Sequence, residues 1–173
     1  MSIQFYPTTT DEVTLPMACD PAVAEANEDE VLAEFLRTSD PKDLIVPEGA
    51  TLVTFRPLSH ADIAKARAEA GMTPMFGLRV HGQLEKAEDP VKASQNLSEE
   101  EQRAIAEYEH WLYRMRTAMV VRSVKAVSGW DVPAGKMAEA LDQVRPIEVR
   151  NEFLLELSIH AHRLSTLAPE GKG

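Results

Sequence analysis

The segment Leu97-Ser98-Glu99-Glu100-Glu101 constrains the fold most. It is a capping box: the Ser98 hydroxyl can accept from the backbone N–H of Glu101, and the Glu101 carboxylate can reach back to Ser98. Behind it the spacing predicts a helix from Glu99 to about Val127, long for a globular protein. Ile105, Tyr108, Leu112, Met115, Met119 and Arg122 fall on one stripe, which Trp111, Ala118 and Val121 broaden. A chain with one such element must bury that stripe against other secondary structure.

The remainder of the second half is also helical by pattern. Ser128-Gly129 stops the long helix, and Trp130 follows, placed to fold back over the helix end. Pro133 to Val144 is expected to form a short helix burying Met137 and Leu141. Pro146 starts a last helix in which Val149, Phe153, Leu157, His160 and Leu164 recur at helical spacing, with Leu154 and Leu167 widening the face.

The first half mixes element types. Ile3 with Phe5, and Val13 with Leu15, predict two short extended pieces separated by Pro7 and Thr8–Thr10. Pro16 marks the second as an edge strand or an arm. Such an N-terminus can also dock on a neighbouring subunit, which makes Phe5 a candidate contact. Asp20-Pro21 predicts a helix start that runs on through Val23, Val31, Leu32, Phe35 and Leu36 and ends at Thr38–Pro41. Residues 50–58 alternate as a strand; Ser59 caps a helix over Ala61–Ala70, closed by Gly71. Residues 72–84, centred on Phe76, Leu78 and Val80, are expected to add a strand, and 85–96 to form a mobile linker. The fold class expected is α+β: a mixed portion with an extended arm over residues 1–96, then a helical portion over 97–173, continuous enough for one domain.

Charge narrows the function classes. The net charge of −10 argues against nucleic-acid binding, because phosphate contacts need excess Lys and Arg. Up to Leu97 there are 8 basic and 16 acidic residues, and from Ser98 onward 10 and 12, so the acidity lies in the first half. Arg114, Arg116, Arg122 and Lys125 follow one another on the long helix with no acid between them, which fits salt bridging or an acidic partner. A lone cysteine, Cys19, leaves no internal disulfide framework. No apolar run reaches membrane-spanning length, and Met1–Thr10 lack the pattern of a signal peptide. Such a composition is that of a soluble intracellular protein.

Few residues suggest chemistry. His160 and His162, two apart, point away from each other on a helix and make a poor metal pair. Glu107 and His110 share a helix face as in di-metal carboxylate bundles, but Glu156 and His160 stand four apart, not three, so the second motif copy is missing. Cys19 near a helix start has no placeable histidine partner. No P-loop, Rossmann glycine pattern, Gly-x-Ser-x-Gly or paired-cysteine zinc signature occurs. No catalytic residue, cofactor or metal is assigned, and a non-enzymatic role is expected. Interface chemistry favours Trp, Tyr and Arg, so Tyr113, Arg114, Arg116, Arg122, Trp130 and Phe5 are the candidate contact residues.

Three features carry a resemblance. Val53-Thr54-Phe55-Arg56-Pro57-Leu58-Ser59 leads at once into a helix near Ala61-Asp62; a central helix ends in Gly129-Trp130; and a C-terminal helix closes with Leu164-Ser165-Thr166-Leu167 and a charged tail. This order resembles small acidic morphogenesis proteins of tailed bacteriophages and gene-transfer agents, above all tail assembly chaperones. The similarity covers about half the chain, whose stretch before Thr51 is more elaborate than in such chaperones. It implies a protein of the bacterial host cytoplasm or the virion that binds phage tail or head proteins, without membrane or nucleic-acid partners, and with a homo-oligomer compatible. Two other readings compete: an acidic inhibitor of a basic host protein acting through Glu25, Glu28, Asp29, Glu30 and Glu34, and a metal-dependent helical enzyme built on Glu107, His110, Glu156 and His160.

Overall fold

The computed structural model describes residues 11–133 and 135–167; Ile3 and Phe5 lie outside them. The fold is α+β, with a three-stranded antiparallel sheet among eight helices in the described residues. In chain order the elements are β1 (Val13–Pro16), α1 (Pro21–Ala26), α2 (Asp29–Thr38), β2 (Leu52–Phe55), α3 (His60–Ala70), α4 (Met75–Glu85), α5 (Pro90–Gln95), α6 (Glu99–Ser123), β3 (Val124–Val127), α7 (Met137–Gln143) and α8 (Ile147–Leu167). Two compact units form. One takes in the described residues up to Ile63 and again from Met119; the other is Ala64–Ala118.

The first unit holds the sheet, in the order β1-β2-β3. Val13 pairs with Phe55 and Leu15 with Val53, while Val53 pairs with Val127 across the other edge. Pro16 sits on an outer strand, where its missing N–H costs no ladder bond. Leu15, Val53 and Phe55 point into the core beside Met17, Val23, Phe35, Leu141 and Leu157. Asp20 ties two elements together. One carboxylate oxygen caps α1 by accepting from the Ala22 N–H at 2.9 Å, and the other accepts from the Thr51 N–H and hydroxyl at 2.8 and 2.6 Å.

The second unit is helical and has a thin core of Ala66, Ala70, Gly77, Val80, Ala104 and Tyr108. Small residues let its helices approach closely. A Cβ on Gly77 would overlap the Ala104 carbonyl oxygen and lie 2.7 Å from the Tyr108 Cβ, so only glycine lets α4 reach α6. Trp111 stacks on Tyr108 with ring centroids 5.9 Å apart, and its indole N–H donates to the Gly71 carbonyl at 3.0 Å. The capping box forms as expected: Ser98 Oγ accepts from the Glu101 N–H, and the Glu101 carboxylate accepts from the Ser98 N–H at 2.9 Å.

Five expectations are corrected. The helix predicted from Pro21 to about Leu36 is broken at Asn27. That side chain donates to the Val23 and Ile45 carbonyls and accepts from the Ile45 N–H, offering the backbone an alternative to the helix. In place of the strand expected over 72–84, Met75–Glu85 form α4: the buried positions, Gly77 and Val80, are three apart, and Gly77 lies against α6. The expected linker contains α5, which starts as α1 does: Asp89 accepts from the Lys92 N–H at 2.9 Å and Pro90 takes the first helical position. The long helix stops at Ser123 because Val124–Val127 pair with β2. In α8, Val149 is exposed, unlike the rest of its predicted stripe.

Candidate functional site

The first unit carries a buried polar cluster at the centre of α8. Glu156 and His160 stand one turn apart, and the His160 Nε2–H donates to Glu156 Oε1 at 3.2 Å. His160 is 0% exposed and Glu156 only 4%. The N–H groups of Ala18 and Cys19, in the turn after β1, donate to the two carboxylate oxygens at 2.5 and 2.8 Å. The other histidine nitrogen, Nδ1, meets the Ser39 hydroxyl at 3.1 Å. Ser39 ends α2 in the left-handed region, with φ of 58°, and its N–H donates to the Phe35 carbonyl at 2.7 Å. That conformation is unfavourable for a residue with a side chain, and the contact with His160 helps to hold it. Phe35 and Phe55 close over the imidazole with centroids at 5.0 and 5.8 Å.

Burial pushes the Glu156 carboxyl up, but hydrogen bonds from His160, Cys19 and the Ala18 and Cys19 N–H groups outweigh it and hold the carboxyl below its ordinary range. Burial raises the Cys19 thiol strongly, and the nearby negative charge of Glu156 adds to the effect. The thiol is therefore a poor nucleophile at neutral pH.

Serine, histidine and carboxylate in one chain invite comparison with a hydrolytic triad. The connectivity is reversed: the acid meets Nε2 and the hydroxyl meets Nδ1. Ser39 is only 8% exposed, so a substrate carbonyl has no approach to it. The cluster joins the turn after β1, the end of α2 and the middle of α8, and it does so with every charged atom engaged.

Beside this cluster lies an open cleft of about 260 Å³, lined by Leu32 and Leu36 of α2, Leu155 and Ile159 of α8, and Ala18 and Cys19. Glu156 forms part of its floor and Glu152 part of its rim. Leu155 is 40% exposed, and Leu32, Leu36 and Ile159 are half-buried. Polar groups inside the cleft are thus fixed by the cluster, and what faces outward is mostly aliphatic.

The candidate contact residues from the sequence do not gather at this cleft. Arg114 is exposed on α6, while Tyr113, Arg116 and Arg122 are half-buried along it. The Arg122 carbonyl accepts from the Arg56 guanidinium at 3.3 Å. Trp130 is half-buried against Phe153 of α8, with centroids 5.6 Å apart. Phe5 lies outside the described residues. Glu107 and His110 are exposed in the second unit, whereas Glu156 and His160 are buried in the first. Among the described residues no group of three or more His, Cys, Asp or Glu side chains could hold a metal ion, and no helix is long and apolar enough to cross a membrane. Sequence reasoning missed the role of Glu156. The signal was an acid set inside the apolar run Phe153–Leu157, four residues before a histidine on the buried stripe. Comparison with protein-family models, with curated proteins and with solved structures finds no match.

Proposed function

We propose that this chain acts by protein–protein contact in the assembly of a tailed-bacteriophage-type particle, as a tail assembly chaperone or a minor structural component, and turns over no small molecule. The cleft between α2 and α8 is the observation that carries the reading. Its exposed aliphatic side chains suit a partner's apolar helix face, the common mode of helix-in-groove recognition. The second unit adds Met72 at 94% exposure, with Met75 also exposed, and methionine surfaces adapt to varied partners. Glu156, His160 and Ser39 beside the cleft are bonded to one another and to the backbone, which agrees with a binding role. A tagged pull-down from the native source, with mass spectrometry of soluble complexes and of purified particles, tests this. Recovery with tail or head proteins is expected; presence in mature particles marks a component, and absence marks a chaperone. Recovery of no assembly protein from either fraction refutes the reading.

A second reading has its own observation. Glu25, Glu28, Asp29 and Glu30 are all exposed near the start of α2. An acidic inhibitor of a basic protein would use them, and its binding would fall steeply with salt.

A further inference from the structure

We infer that the cleft between α2 and α8 receives an amphipathic helix whose apolar stripe is flanked by lysine or arginine. The inference rests on the protein-contact reading above and adds the partner's chemistry. Two observations on the cleft carry it.

The first is its shape and lining. Leu32 and Leu36 stand one turn apart on α2, as do Leu155 and Ile159 on α8. The two rows of aliphatic side chains line open space and match the one-turn spacing of knobs on a helix. The volume of about 260 Å³ leaves room for anchoring side chains but not for a folded domain. The floor is rigid, since Ala18, Cys19 and Glu156 are tied together by hydrogen bonds.

The second is charge. Two carboxylates line the cleft. Glu156 is consumed by its donors. Glu152 is exposed and makes no ion pair among the described residues. It precedes Leu155 by three positions, so it flanks the apolar row on the same helix face. On α2, Asp29 stands three positions before Leu32 in the same relation, is exposed and is likewise unpaired among the described residues. Both rows are therefore led by an acid. An incoming cation meets the Glu152 carboxylate at the solvent-exposed rim, where pairing adds selectivity and association rate more than raw affinity. An acidic helix would face uncompensated repulsion at the same place.

The test uses the full chain and two labelled 18-residue peptides, a leucine–lysine amphipathic helix and its leucine–glutamate counterpart, in fluorescence anisotropy. The leucine–lysine peptide should bind at least tenfold more tightly than the other. The chain's net negative charge alone could attract a cationic peptide, so the deciding variant is the double substitution Leu36→Ala with Leu155→Ala, which leaves charge unchanged. It should weaken binding at least tenfold, and Glu152→Gln should reduce the salt dependence. Circular dichroism confirms that each variant is folded, as expected for partly exposed positions. Equal binding by the double variant and the parent, or equal binding of both peptides, overturns the proposal. Because the peptides stand in for any native partner, that failure leaves the assembly reading intact; the pull-down alone decides the latter.

Discussion

Replacing Glu156 with glutamine tests the central cluster directly. The side chain keeps its shape but loses its charge and one acceptor. Oε1 receives the Ala18 N–H and His160, and Oε2 receives the Cys19 N–H, so whichever position the new amide takes, its NH2 confronts a backbone donor. A buried donor left without an acceptor costs about 1–3 kcal/mol, and the surviving bonds lose their ionic character, at about 1 kcal/mol in total. The expected loss is about 3 kcal/mol, a large share of the 5 to 15 kcal/mol, roughly, that a domain has to spare. Urea unfolding should be followed by Trp130, which packs on Phe153 in the same unit, in a Trp111→Phe background that silences the other indole. The pH dependence has a definite sign. The native carboxyl titrates below its ordinary value of 4.5, so its contribution is complete above that value and fades as pH falls through the native one. The gap between parent and E156Q should be full at neutral pH and shrink below pH 4.5. A loss under about 0.5 kcal/mol at neutral pH, within the ordinary surface range, would refute the reasoning. So would a gap that stays constant on acidification.

Other outcomes follow from the same geometry. Gly77→Ala should destabilise the second unit by about 1–3 kcal/mol through overpacking, read from Trp111 fluorescence, although alanine is the better helix former; a neutral or stabilising result would show that α4 and α6 are not in such close contact. Ser98→Ala removes the cap of α6 and should cost about 1 kcal/mol, checked by thermal melting followed at 222 nm, roughly the helical minimum. Cys19 should react slowly with a disulfide reagent at neutral pH and faster in E156Q, because the carboxylate helps to keep the thiol protonated. An unchanged rate in that variant would remove Glu156 from the account.

The sequence-legible parts of the fold are those with a local cause. Asp20-Pro21, Ser59 and the Ser98–Glu101 box all start or precede helices where their side chains can reach free backbone N–H groups. Gly71 closes α3 in the left-handed region, with φ of 82°. The misreadings have long-range causes. Val124–Val127 leave a helical pattern because β2, far away in sequence, offers a ladder. α4 reads as a strand because Phe76, Leu78 and Val80 alternate, while the close approach of α6 that needs Gly77 is set by residues far along the chain. The polar cluster was illegible for the same reason: its members come from residues 18–19, 39 and 156–160, and no spacing rule connects them. What could be read was the single anomaly of a carboxylate in an apolar run.

The sheet has a consequence for the order in which the chain assembles. Val13 pairs with Phe55 and Val53 with Val127, so the ladders close loops of about 40 and about 70 residues. Helical segments such as α6 close none. Loop closure taxes the strands before any contact rewards them, so folding is expected to begin in the helices, with β3 joining late. Until then the apolar edge of β2, Val53 and Phe55, stays open, and a newly made chain is most prone to aggregate in that interval.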